Sequence, residues 1–381
     1  MKPAEQMPIY IGAMSGTSLD GLDLVAVSFD DHSRPTLLAS ECHAYSSDLR
    51  QDLRNLIQQP ATNLVDLGQT DTRLGRFYAD SIDQFCTRNR LDKSAIRAVG
   101  SHGQTIWHSP DGPAPFTLQI GDPNIIAAQT GLDVVADFRR RDIALGGQGA
   151  PFACAYHEQV FRSDDKDRVI INIGGIANIT YLPSDPSQPV IGFDSGPGNT
   201  FMDAFSRSHL GQDYDDAGAF ARQGSILHDW LERTLREEPY FLRAHPKSTG
   251  TEYFSPAWLE RSGLLHHERP ADVMATLCEL TARSITHAIE HSSLVPDEVF
   301  ICGGGAHNHF LLQRLAERLA PARVATTDVL GLHPDWVEAI TFAWLARQTM
   351  DRRPSNLPSV TKAKKFTILG AVYFDRQFDS L

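Results

Sequence analysis

Cysteine is scarce and scattered in this 381-residue chain. The five residues Cys42, Cys86, Cys154, Cys278 and Cys302 form no C-x-x-C pair. Their spacing excludes a disulfide framework and a cysteine zinc site, and it fits a reducing cytoplasm. Basic excess is missing too. The net charge is −12, whereas a duplex nucleic-acid binder carries a basic stripe, so nucleic acid is not an expected partner. The acidic balance leaves ATP open, because backbone N–H groups and Mg²⁺ handle phosphate charge locally. No run reaches the roughly 18 apolar residues needed to span a bilayer. Met1 to Met7 is short and polar, with no signal-peptide core. The P-loop pattern G-x-x-x-x-G-K-[ST], the dinucleotide fingerprint G-x-G-x-x-G and the zinc pattern H-E-x-x-H are all absent. The expectation is a cytoplasmic protein with no membrane partner.

What is present is an ordinary globular composition, 41% apolar and 22% charged. The length suggests two domains, with a ligand in the cleft between them. Ile9 to Met14 and Leu22 to Phe29 read as a hairpin with a Ser/Gly/Thr/Asp tip. Helical patterns follow at Ser47 to Gln58 and Asn63 to Arg88, with Asn63 an N-cap of the second. Ile96 to Gly100 and Leu132 to Ala136 read as strands, Ser109 to Pro115 as a loop, and Gly146 to Gly149 as a hinge or linker. The second half restarts the pattern, with strands Val169 to Ile173, Ile179 to Leu182, Val190 to Phe193 and Glu298 to Cys302. Helices are expected over Ala271 to His291, Asn308 to Leu319 and Trp336 to Met350. Ile368 to Phe374 should pack back onto the body. Each half begins with a glycine-tipped hairpin, and strands alternate with helices, so the class is α/β.

Four loops have the composition for chemistry. Ser15, Gly16, Thr17, Ser18, Leu19, Asp20 and Gly21 form a turn whose glycines admit a phosphate to the backbone. Its hydroxyls and N–H groups are phosphate donors, and Asp20 is a ligand for Mg²⁺ or its waters. The same segment reads equally as a plain polar turn. Gly174 and Gly175 sit between two strands in the same way. Gly303, Gly304 and Gly305, followed by Asn308, join a strand to a helix where a flat adenine or ribose can approach the backbone. Asp194, placed just past a strand end and followed by Gly196 and Gly198, is positioned as a general base. Ser195 with His102 has a superficial likeness to a serine nucleophile and its base, but no acid partner is indicated. Arg139, Arg140 and Arg141 read either as an anion site or as a solvated charge run. Glu338 lies on an amphipathic helix.

These loops, in this order, resemble the sugar kinase/heat-shock-70/actin superfamily. Ser15 to Asp23 looks like its phosphate-1 motif, Asn172 to Asn178 like phosphate-2, and Phe300 to Asn308 like the adenosine motif. Ala13 to Gly21, Gly100 to Thr105, Ala136 to Asp142, Gly146 to Pro151 and Gly192 to Asn199 together resemble the anhydro-N-acetylmuramic acid kinase family, over about Tyr10 to Tyr373.

The resemblance implies a two-domain actin-like/hexokinase-like ATPase fold with a central cleft. One domain would comprise residues 1–143 plus about 363–381, and the other 144–362. It implies ATP and Mg²⁺, a homodimer, and a coupled reaction. Water opens the 1,6-anhydro bridge of 1,6-anhydro-N-acetylmuramic acid while O6 takes the γ-phosphate, giving N-acetylmuramic acid 6-phosphate in cell-wall recycling. Asp194 would be the base and Glu338 would orient water or sugar. Ser15 to Gly21, Asp23, Gly174, Gly175, Gly303 to Gly305 and Asn308 would hold the nucleotide, with Asp20 at the metal. The alternatives are another sugar kinase of the same fold, or an actin- or chaperone-like ATPase.

Overall fold

The structure, a computed structural model, describes residues 7–16, 19–58, 61–245, 247–266 and 269–375. Thirteen strands occur among them, named here in chain order: β1 Ile9–Met14, β2 Gly21–Phe29, β3 Pro35–Ala44, β4 Ile96–Ser101, β5 Gln104–Ser109, β6 Phe116–Ile120, β7 Val134–Ala136, β8 Arg168–Ile173, β9 Ile176–Leu182, β10 Ile191–Pro197, β11 Glu298–Cys302, β12 Arg323–Thr326 and β13 Ala371–Tyr373. The chain forms two compact units. The first takes residues 1–160 and 338–381, the second 161–337. The changeovers therefore fall at Phe161 and Glu338. Residues 144–160 and 338–362, expected with the second domain, pack with the first.

The first unit holds a six-stranded sheet in the order β13-β7-β4-β1-β2-β3. β1, β2 and β3 are antiparallel neighbours, while β4 and β7 add in parallel on the other side of β1. Parallel addition needs a crossover, which helices Ser47–Gln58 and Leu64–Arg88 supply between β3 and β4. The second unit repeats the winding: its order β10-β9-β8-β11-β12 is again an antiparallel meander followed by two parallel strands. The repeat suspected from two glycine-tipped hairpins thus covers five strands in each unit. β13 pairs antiparallel with β7, so the expected return of Ile368 to Phe374 occurs as an edge strand.

Apolar runs became buried strands. β1 is buried at all six positions, and Ile11 is fully inaccessible. Asn63 caps its helix as expected, its Oδ1 accepting the Asp66 N–H at 2.8 Å. Four strands, β3, β5, β6 and β12, escaped the sequence. β3 is a largely exposed edge, and the β5–β6 hairpin is a separate two-stranded sheet. Neither presents a continuous apolar run.

A close contact sets the position of the helix Val337–Met350. Gly12 and Gly100 are register partners on β1 and β4. A Cβ on Gly12 would lie 1.8 Å from the Ala339 carbonyl oxygen, and one on Gly100 would lie 2.0 Å from that of Phe342. The helix backbone therefore rests directly on the sheet at two glycines. Glu338, next to Ala339, stands in its first turn, where the helix dipole favours an acidic side chain.

Gly146 to Gly149 is not a free hinge. Asp142, fully buried, accepts the Gly149 N–H at 2.9 Å, the Asn356 amide at 3.0 Å and the Thr361 hydroxyl at 2.9 Å. The Gln148 N–H donates to the Thr361 carbonyl at 2.7 Å. The glycine segment is thereby fastened to 356–361 within the first unit.

Candidate functional site

In the first unit the loop after β1 is tied down from below. Ser15 is 1% exposed. Its hydroxyl donates to Gln104 Oε1 at 2.6 Å and accepts from the Tyr45 hydroxyl at 2.7 Å, which in turn lies 3.3 Å from the Tyr78 hydroxyl. Burial pushes Tyr45 up to about 12, so it stays a neutral donor. The Ser15 hydroxyl, expected to meet phosphate, is instead turned into the fold and anchors the loop. Thr17 and Ser18 lie outside the described residues. Leu19 is buried with φ +57, and the exposed Asp20 uses its carbonyl to accept from Tyr45 N and Arg50 Nη2. Gly21 lies against β3, and Asp23 sits on β2 opposite Met14. Among the described residues no group of three or more His, Cys, Asp or Glu stands together as a metal site. The exposed Asp20 carboxylate fits a Mg²⁺ only as one ligand beside phosphate oxygens and waters.

His102 lies beneath the same loop. Arg139 donates to its Nε2 at 2.8 Å. Arginine has no acceptor, so Nε2 is unprotonated and Nδ1 carries the hydrogen, directed at the Ser15 carbonyl at 3.3 Å. Burial, and then the Arg139 guanidinium, lower His102 to about 3. His102 is therefore a neutral strut. The arginine run divides: Arg139 turns inward to His102, the Gly149 carbonyl and the Phe152 ring, Arg140 pairs with Asp137, and Arg141 is exposed. The three do not form one anion site. A cavity of about 160 Å³ opens beside them, lined in part by Ser101, His102, Asp137 and Arg140. The Ser101 hydroxyl there is buried without a hydrogen-bond partner in the protein.

Buried neutral histidines have a consequence for stability. Burial and Arg139 lower His108 to about 4, and burial alone lowers His157 to about 3. In the unfolded chain each titrates near ~6.5. Between about pH 6.5 and 3 the unfolded state thus binds protons that the native state refuses, so stability is lost as pH falls through that window. Urea midpoints should drop steadily from pH 6.5 to 4. A His157→Leu variant should show a shallower slope. A midpoint that does not move between pH 7 and 4 contradicts this account.

In the second unit three glycine segments converge on the end of β8. The Gly174 carbonyl accepts the Asn199 N–H at 2.8 Å, and the Gly175 carbonyl accepts the Gly198 N–H at 2.8 Å. Gly303 has φ +76, and a Cβ there would lie 2.3 Å from Asn172 Oδ1. A Cβ on Gly305 would lie 2.4 Å from the Ile173 side chain. Gly304 differs: the nearest atom to its Cβ direction is Asn199 Nδ2 at 3.7 Å, so its face is open. Two glycines of the triplet answer to packing, and the middle one leaves room for a ligand. Asn308 caps the helix His309–Leu319, accepting the Leu311 N–H at 3.0 Å.

Asp194 lies inside β10, not past its end. The register shifts between Asp194 and Gly196, leaving Ser195 as the extra residue of a bulge. Gly196 and Pro197, which look like a turn in sequence, continue the strand. Ser195 is fully buried and donates to the Ala177 carbonyl at 3.1 Å, which removes it as a nucleophile. Asp194 Oδ2 accepts the Thr249 N–H at 3.0 Å, and the Tyr240 hydroxyl donates to the Asp194 carbonyl at 2.7 Å. Sequence reasoning missed Tyr240 and Thr249. The only signal was a short polar stretch, Lys247 to Gly250, after an aromatic pair.

Residues 8–375 match the family model for anhydro-N-acetylmuramic acid kinase. The chain belongs to the anhydro-N-acetylmuramic acid kinase family. It is 48% identical over 372 residues to the anhydro-N-acetylmuramic acid kinase of Coxiella burnetii (strain RSA 493 / Nine Mile phase I), covering 97% of this chain and 98% of that protein. The enzyme of the same name from Vibrio vulnificus (strain CMCP6) is 46% identical over 366 residues, 96% of this chain and 98% of that one. A solved ROK family glucokinase from Streptomyces griseus aligns with 89% of this chain and 99% of its own, at a TM-score of 0.36 and 13% identity. Family membership accounts for the chain being an ATP-dependent sugar kinase with the mixed α/β fold described above. No helix among the described residues is long and apolar enough to cross a membrane.

Proposed function

We propose that the chain phosphorylates 1,6-anhydro-N-acetylmuramic acid at O6 while water opens its 1,6-anhydro bridge, yielding N-acetylmuramic acid 6-phosphate and ADP. The match to the family over residues 8–375 carries this reading. In the anhydro sugar O6 is bonded to C1 and cannot accept a phosphoryl group. Water must form a bond to C1 as the C1–O6 bond breaks, with a carboxylate taking the water proton, as in inverting glycoside hydrolysis. Asp194 is that carboxylate. Its oxygen is oriented by the Thr249 N–H, which suits a base that must hold one direction. Glu338, on the helix seated at Gly12 and Gly100, orients the water or the sugar. The freed O6 then attacks the γ-phosphate, and Gly174 and Gly304 are the glycines that would admit phosphate to the backbone. Mg²⁺, when bound, would supply charge neutralisation for this transfer, and Asp20 would hold it or its waters. A cytoplasmic homodimer is the expected working form, and sedimentation of the purified chain tests the oligomeric state.

The decisive assay is ADP release in ¹⁸O-labelled water with the anhydro sugar and a panel of free sugars. The expected result is fastest turnover with the anhydro sugar, with one label on C1 per ADP. Faster turnover of free N-acetylmuramic acid, or unlabelled product, would point to a conventional hydroxyl-phosphorylating kinase of the same fold.

A further inference from the structure

Asp194 is gripped by a segment with no regular secondary structure. Beside the Thr249 contact, the Asp194 N–H donates to the Lys247 carbonyl at 3.1 Å. Residues 247–249 thus hold both the backbone and the carboxylate of Asp194. Lys247 is half-buried, and its ammonium donates to the Tyr240 carbonyl at 3.3 Å and sits 4.8 Å from the centre of the Tyr240 ring. Tyr240 is 1% exposed and is the residue whose hydroxyl holds the Asp194 carbonyl. The lysine therefore closes a ring of contacts: Lys247 on Tyr240, Tyr240 on Asp194, Asp194 on Lys247.

We propose that Lys247 is the positioning residue for Asp194, clamping its strand segment through Tyr240 so that the carboxylate keeps its direction. This rests on the reading of Asp194 as the base. A charged ammonium holds both the Tyr240 carbonyl and the face of its ring more firmly than a neutral amine can. The charged groups around Lys247 are Asp194 on β10, Arg243 in the preceding segment and, when protonated, His287 on the helix Pro270–His291; the neutral Tyr240 phenol lies beneath it. Burial first, and Arg243 second, lower Lys247 to about 8, against the opposing pull of Asp194. The clamp thus loses its charge as pH rises through that value.

The test uses the full chain, Mg²⁺, ATP and the anhydro sugar. Lys247→Met should lower kcat by one to two decades, with KM for both substrates within about threefold of the parent. In the parent, kcat should fall as pH rises through about 8. Lys247→Arg, which cannot deprotonate in this range, should recover most of the rate and lose that alkaline limb. A Lys247→Met enzyme within twofold of the parent overturns the proposal, as does an unchanged alkaline limb in Lys247→Arg. The second readout decides the matter should the methionine variant fail to fold. An Asp194→Asn enzyme that remains active removes the underlying base assignment. An inactive Asp194→Asn beside a fully active Lys247→Met removes only the role of the lysine.

Discussion

Asp194→Asn should abolish sugar phosphorylation by about two to four decades while leaving binding of a non-hydrolysable ATP analogue within about threefold. Asparagine preserves the shape of the side chain and can still accept the Thr249 N–H, which meets Asp194 Oδ2 at 3.0 Å. The backbone contacts of residue 194 with Lys247 and Tyr240 do not depend on the side chain at all. What asparagine cannot do is take a proton from water. Initial rates of ADP release, with calorimetric titration of the analogue, separate the two properties. Near-normal turnover would remove Asp194 from the chemistry. Loss of both turnover and nucleotide binding would mean that the substitution had disturbed the fold.

The second large effect is structural. Gly12→Val should destabilise the first unit by about 3 kcal/mol or more, at or above the upper end for overpacking, because the obstacle is helix backbone and not a side-chain tip. The new Cβ would fall 1.8 Å from the Ala339 oxygen and 3.1 Å from the Ala343 nitrogen. Either the helix lifts off β1 or the sheet bends, and both move Glu338. For a unit of this size that loss corresponds to a fall of roughly 6–12 °C in the unfolding temperature. Thermal melts followed by circular dichroism measure it, and kcat should fall alongside stability. Gly68→Ala is the matched control: nothing lies within 4 Å of a Cβ there, and in mid-helix alanine should be neutral or stabilise by up to about 1 kcal/mol. A Gly12→Val protein that melts with the parent would show that the helix seat is not rigid.

Much of this architecture could be read from the chain because its signals are local. β1, β8 and β11 are short apolar runs bounded by glycine or polar turns, and the Asn63 cap is a single side chain acting on its own helix. β3 and the β5–β6 hairpin were hidden because their stability comes from neighbours that sequence periodicity does not record. Asp194 lies within a strand where the sequence puts it past the end, since Gly196 and Pro197 normally end a strand and here continue one through a bulge. The Ser15 hydroxyl was given to phosphate because its partners Tyr45 and Gln104 are remote in sequence. Lys247 went unnoticed for the same reason: its link to Asp194 is made entirely by tertiary contacts.

The division of the chain also imposes an order on its making. The second unit is one continuous stretch, whereas the first needs residues on both sides of it. A ribosome therefore completes the second unit while the first still lacks the Val337–Met350 helix and β13. During that interval Gly12 and Gly100 have no helix above them, and β7 presents an unpaired edge to other nascent chains. Pairing of β13 with β7, made only after the helix that carries Glu338 has been synthesised, closes that edge.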